Sequence, residues 1–403
     1  MSAAALADAP APIAPVTFTG QNGVFRRLVM RGALLELATF GFYRFWLTTD
    51  IRRHLWSHTE IDGDALEYIG RGKELLLGFL IAMAVLAPLF LLNFLLGLEI
   101  ERFKAFASLP LYLFLAAFGQ FAAYRARRYR LTRTVWRGVR FWMTGSGWSY
   151  AWRSMLWALL LFPTLGFAYP WRSAALERYK LRHTLYGNLL CRFEATGWQL
   201  FKRVWWVWLL GLLPILLLVG GVVATAVSGG VAAGSGALLL GGVLLLSLPF
   251  LHAIRRAREW AWWAGGIRFG GVAVACHLRS GSLIGVYWKL IGLVLLVIAV
   301  FSAIAAGLAA ALFNFGASSG GLPAMILARQ LPVWGFVAFA ATYLLLIIAI
   351  GVLLRIYTLQ RVWRRVVAEC AVIDIEAASN VGAAGDVVTA FGEGLADGLD
   401  FGL

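Results

Sequence analysis

Few residues in this 403-residue sequence have the types and spacing that chemistry needs. His54 and His58 are four apart, so on a helix they share one face and can approach one metal ion, but no Glu or third ligand sits in a recognisable pattern. Packing at an interface is the better reading of both, and His183, His252 and His277 are isolated. Asp62 and Asp64 flank Gly63 and read as turn formers rather than a carboxylate pair. Cys191, Cys276 and Cys370 lie far apart without a C-x-x-C, and read as small reduced hydrophobes rather than zinc ligands. The sequence has no Walker A loop and no H-E-x-x-H. The expectation is a non-enzyme with no catalytic residue, metal or cofactor.

Two other sets of residues are more informative. Glu36, Asn93, Gln120 and Lys289 interrupt apolar runs, where a polar group is expensive and faces a bundle interior or cavity. Glu36 is expected either to pair internally with Arg31 or Arg44 or to be an interfacial residue that snorkels. The second set is a series of arginine pairs, Arg52 with Arg53, Arg127 with Arg128, Arg255 with Arg256 and Arg364 with Arg365. Trp and Tyr are interleaved with them, for example Trp56, Tyr129, Trp260 and Trp363, the composition of helices that rest at the headgroup level of an anionic bilayer.

The elements that must carry these residues follow from composition. With 61% hydrophobic and 14% charged residues, the chain is an α-helical polytopic membrane protein. Its net charge of +16 would point to nucleic acid in a soluble protein, but the basic residues cluster beside apolar runs and report orientation instead. Six spans are expected at residues 75–98, 109–124, 204–223, 237–251, 283–313 and 333–354, paired into three hairpins. Their connections, 99–108, 228–236 and 314–332, hold only Arg102, Lys104 and Arg329 of 36 Lys and Arg. By the positive-inside rule these face outward, which puts the rest, both termini included, in the cytoplasm beneath a bacterial inner membrane. Residues 25–46 and 148–171 are too short and too basic at their ends to span, and read as re-entrant or interfacial helices bent at Gly41 and at Pro163, Gly166 or Pro170.

Between the membrane elements lie short β-prone segments, HTEI-DGD-ALEYIG, RTVW-RG-VRFWMTG, LRHTLY-GN-LLCRFEATG and GGIRF-GG-VAVACHLRSG, each with glycine in its turn. A fifth, VVAECAVIDIEAAS, lacks that glycine. Single hairpins are marginal, so the copies are expected to join in one sheet or small barrel. Residues 1–16 read as a flexible Ala/Pro leader without a signal peptide, 17–376 as one repeated membrane domain, and 377–403 as a Gly-rich acidic tail.

The runs TFGFYRFW, IRRHLWSHTEIDG, LEYIGRGKELLLGF, PTLGFAYPW and RYKLRHTLYGNLLCRFEATG resemble the YjgN-type family of bacterial inner-membrane proteins. The resemblance implies a multi-pass inner-membrane location and no established activity. Two function classes stand. The first is a transporter or channel for an unidentified solute, expected from helical hairpins and broken helices. The second is a non-transporting scaffold whose Arg-rich interfacial helices bind anionic lipid or a protein partner.

Overall fold

The computed structural model describes residues 13–99, 109–318, 333–379 and 381–385. Five helical units are pinned at their ends in the same way. Where the strand leading into each unit stops, one backbone N–H donates to the carbonyl that ends the unit's last helix: Thr19 to His58, Ile69 to Arg133, Thr144 to His183, Glu194 to Gly266 and His277 to Glu369, at 2.8–2.9 Å. The first unit holds α1 (Asn22–Ala38) and α2 (Arg44–Ser57), the second α3 (Gly72–Glu99) and α4 (Leu109–Thr132), the third α5 (Gly147–Leu161) and α6 (Tyr169–Arg182). The fourth runs through α7 (Gly197–Ser228), α8 (Val231–Leu245) and α9 (Leu248–Gly265). The fifth comprises α10 (Ile284–Ser318), α11 (Val333–Leu354), a π-helical turn (Arg355–Arg361) and α12 (Val362–Ala368).

One local motif bends both short elements. Phe40 and Gly41 take φ of 51° and 89°, and Leu165 and Gly166 take 46° and 83°, so two successive left-handed residues end the first helix of each unit. The preceding threonine secures the bend: Thr39 Oγ1 donates to the Leu35 carbonyl at 2.7 Å and accepts from Tyr43 N, as Thr164 Oγ1 donates to Leu160 O at 2.6 Å and accepts from Ala168 N. The helices then run back antiparallel, with the Phe25 and His54 rings 5.4 Å apart in the first unit and Tyr150 and Tyr179 6.1 Å apart in the third. Phe40 at the first bend is 95% exposed, so the hairpin tip is apolar.

Among the described residues, four helices are long and apolar enough to cross a membrane, Gly72–Leu95, Gly197–Ser228, Ile284–Ala311 and Val337–Ala368. Two of the six expected spans differ from expectation. The stretch 109–124 is helical but continues unbroken to Thr132, through Arg125, Arg127, Arg128 and Arg130, and is not one of the four. The stretch 237–251 is not one straight helix: α8 stops at Leu245 and α9 restarts at Leu248, bent by 45°. Pro249 sits in the first turn of α9, where a missing N–H costs nothing, so a helix start lies hidden inside an apolar run. Counted as one crossing, that pair makes a fifth. Residues 100–108 and 319–332 of the expected connections lie outside the described residues.

The strands gather in one antiparallel sheet: β1 (Ile13–Phe18), β2 (Thr59–Ile61), β3 (Asp64–Ala65), β4 (Glu67–Tyr68), β5 (Thr134–Trp136), β6 (Val139–Met143), β7 (Thr184–Tyr186), β8 (Leu189–Phe193), β9 (Ile267–Phe269), β10 (Val272–Cys276) and β11 (Cys370–Ile373). Their order is β3-β2-β1-β11-β10-β9-β8-β7-β6-β5-β4. The two ends of that order are separated in the chain only by Leu66, so the sheet closes into a barrel and keeps no free edge. Asp62–Gly63 and Arg137–Gly138 make tight turns with both residues at positive φ, the geometry that follows the twist of a two-residue hairpin.

The fifth segment needs no such glycine, because β11 takes its second partner from β1, Ile13 facing Ile373. That strand begins inside the stretch expected to be a flexible leader. Beyond β11 a short 3-10 helix, Ile375–Ala378, enters the barrel core with Trp136, Tyr186, Val272 and Val372. Tyr186 Oη donates to the Trp136 carbonyl at 2.9 Å. The barrel is filled by side chains.

Candidate anion-binding pocket

The fifth unit meets the first along a seam between α1 and the π-helical turn with α12. Arg364 Nη2 donates to the Gly20 carbonyl and its guanidinium lies 5.4 Å from the Phe18 ring, while Trp363 Nε1 donates to Thr59 Oγ1 at 2.9 Å. A pocket of about 300 Å³ opens at this seam. Lys289, Arg361, Arg364 and Arg365 line it, together with Asn22, Ser282, Gly285 and Val286. No carboxylate is in the lining. Asn22 is the first residue of α1, whose N-cap position, Gln21, makes no side-chain cap bond, and Ser282 lies two residues before the start of α10 at Ile284. Two helix N-termini, each with the positive end of its dipole, therefore meet four cationic side chains.

Such a lining repels itself when empty and is relieved by an anion. Arg361 is placed by its stack on Tyr357, 4.1 Å from the ring centroid. Arg364 Nε is buried without a partner. A phosphate-like group offers both the charge and the acceptor oxygens that these donors lack. A second pocket, about 380 Å³, lies at the corresponding start of α7 against α9, lined by Gln199, Lys202, Arg203 and Trp262 among others. It carries two cations where the seam pocket carries four.

A family model described as "Bacterial protein of unknown function (DUF898)" matches residues 13–398, from the first strand of the barrel onward. The chain belongs to this family. The resemblance to the YjgN-type family read from its motifs agrees with that match. No curated protein and no solved structure matches the chain.

In this DUF898 chain the two sets of sequence candidates meet at one point, where Lys289 from the intramembrane set joins Arg364 and Arg365 from the arginine pairs. Arg361, Asn22 and Ser282 complete the lining. The other candidates are placed elsewhere. Glu36 pairs neither with Arg31 nor with Arg44: Arg355 holds it at two points, Nη1 to Oε2 at 2.7 Å and Nη2 to Oε1 at 3.2 Å. Gln120 accepts from Ser154 Oγ at 2.9 Å, and Arg172 donates to the same hydroxyl at 3.1 Å, linking α4, α5 and α6. Asn93 is half-buried in α3.

Most of the arginine pairs have internal work. Arg52 is 3% exposed and reaches Tyr68 Oη at 3.4 Å, and Arg53 contacts Asp50 and the Gly70 carbonyl. Arg255 and Arg256 both bind Glu259, at 3.0 and 3.1 Å. Arg127 and Arg128 are half-buried, each with its Nε unpartnered. Between α6 and α9, Glu177 pairs with Lys180 and accepts from Trp263 Nε1 at 3.0 Å. Burial opposes its charge, yet Lys180 and Arg127 hold the Glu177 carboxyl below its ordinary range. The His54 and His58 rings lie 4.2 Å apart, tilted by 37°, and among the described residues no group of His, Cys, Asp and Glu could hold a metal ion.

Proposed function

We propose that this protein is a multi-pass protein of the bacterial inner membrane that works as a lipid-bound scaffold, holding an anionic headgroup in the pocket at the seam of its first and fifth units. The observation that carries this reading is the convergence of Lys289, Arg361, Arg364 and Arg365 on a cavity without a carboxylate. In it, six crossings count α4 and the bent α8–α9 pair beside the four long apolar helices, and the apolar tips at Phe40 and Leu165 dip into the same leaflet that the arginines face. The barrel then lies in the cytoplasm. A core filled by Trp136, Tyr186, Val372 and Ile375 argues against a solute route along the barrel axis, and so sets the transport reading second.

The test is native mass spectrometry of protein released from mixed phosphatidylglycerol and phosphatidylcholine nanodiscs. Lys289→Gln with Arg365→Gln removes two cations that make no hydrogen bond or ion pair among the described residues. At about 1 kcal/mol per basic residue near an anionic surface, retention of phosphatidylglycerol should fall by roughly 30-fold. Equal retention of both lipids by the unaltered protein, or no loss in the double variant, would refute the reading.

A further inference from the structure

Two of the three cysteines, far apart in sequence, face each other in the fold. In the pairing of β10 with β11, Cys276 stands directly opposite Cys370. The neighbouring pair, His277 with Glu369, is joined by a backbone hydrogen bond of 2.9 Å from His277 N to Glu369 O. In an antiparallel ladder bonded and non-bonded pairs alternate, so Cys276 and Cys370 occupy a non-hydrogen-bonded pair. There the Cα atoms sit about 4.5 Å apart with side chains drawn together, at the lower end of the roughly 4.4–6.8 Å that a disulfide spans. The two thiols are within hydrogen-bonding reach of each other, and both residues are half-buried rather than sealed in the core. Cys191, by contrast, is buried in β8.

We propose that Cys276 and Cys370 are a reversible dithiol–disulfide site, oxidised by a small-molecule disulfide of the glutathione class. The hydrogen bond that Cys370 donates favours the Cys276 thiolate and holds Cys276 below the usual thiol range, while the same bond and burial push Cys370 up. Cys276 is therefore the attacking sulfur. Its thiolate attacks one sulfur of the small disulfide, forms a mixed disulfide and expels one thiolate. The Cys370 sulfur, losing its proton, then attacks Cys276 Sγ and expels the second thiolate. Two protein thiols become one S–S bond, the small disulfide becomes two thiols, and the two protein protons end on those thiols.

The bond would fasten the last strand of the barrel to the strand that leads into α10. Cys276 and Cys370 pack against the cluster that contains Leu283, Val286 and Val362, and Val286 also lines the seam pocket. Its formation does not depend on the anion reading, since it is observed in the protein's mass.

The experiment incubates the full chain in nanodiscs with oxidised glutathione, quenches with acid, alkylates under denaturation and maps the peptides. The expected result is loss of two of the three alkylatable thiols, with an intramolecular peptide pair joining Cys276 and Cys370, lighter by two hydrogens, and Cys191 still alkylated. Dithiothreitol restores both thiols, and Cys276→Ser abolishes the cross-link. Both thiols still alkylatable after incubation, a stable mixed disulfide without the internal bond, or a cross-link to Cys191 would each overturn the proposal.

Discussion

The bidentate pair of Glu36 and Arg355 is the most exacting test of how the first and fifth units are held together. Both side chains are about a quarter exposed, 22% and 26%, and the two contacts are 2.7 and 3.2 Å. Exposed ion pairs contribute about 0.2–1 kcal/mol, whereas removing one partner of a fully buried pair costs about 3–5 kcal/mol. A partly covered, two-point pair lies between these limits. Glu36→Gln and Arg355→Met should each destabilise by about 2 kcal/mol, and the double variant by about 2.5 kcal/mol rather than 4, leaving a coupling of roughly 1.5 kcal/mol. The assay is denaturant unfolding in detergent micelles for the unaltered protein, both single variants and the double variant. Glu36→Gln combined with Arg31→Gln serves as the control and should be additive. Additivity of the Glu36 and Arg355 changes to within about 0.3 kcal/mol, or coupling to Arg31 instead, would refute the seam pairing.

Two further outcomes follow from burial and backbone geometry. His54 is 7% exposed, and burial, with His58 beside it, lowers its pKa from 6.5 to about 4. Between those pH values the unfolded chain takes up a proton that the folded one refuses, so stability falls as pH drops, by about 2 kcal/mol at pH 5. His54→Phe should flatten that slope, and unfolding midpoints at pH 7 and pH 5 decide it. Gly145 has φ +84°, and an added Cβ would meet Tyr124 Oη at 2.5 Å and His183 Cγ at 2.8 Å. Gly145→Ala should therefore cost about 2–3 kcal/mol through the left-handed backbone and the displaced Tyr124 hydrogen bond to Thr144 O. An unchanged thermal midpoint would count against that geometry.

Local chemistry was readable in the sequence, and long-range pairing was not. The TFGF and TLGF stretches mark their bends because threonine, a left-handed residue and glycine act within one turn. The DG and RG dipeptides mark hairpins for the same reason. Glu36 was recognisable as a residue needing a partner, but Arg355 is 319 positions away and no spacing rule reaches it. Cys276 and Cys370 looked solitary because strand register, not sequence distance, decides what faces what. Arg361 escaped notice in the seam pocket because it follows an apolar run among several equivalent arginines. The break before Pro249 was hidden because proline at a helix start leaves hydropathy unchanged.

Closure of the barrel through β1 and β11 has a consequence for how the chain is made. β1 leaves the ribosome before any other strand of the barrel, and β11 after all of them. Helical hairpins can enter the bilayer one at a time, each satisfied by its own backbone bonds, but β1 keeps one edge unpaired until residue 373 has been synthesised. Throughout translation the growing sheet is an open ribbon with two adhesive margins, and it becomes a closed object only when its latest strand reaches its earliest. Joining the two ends of the ribbon is therefore the last strand pairing the barrel can make, and until that join the nascent protein keeps margins open to pairing with the wrong chain.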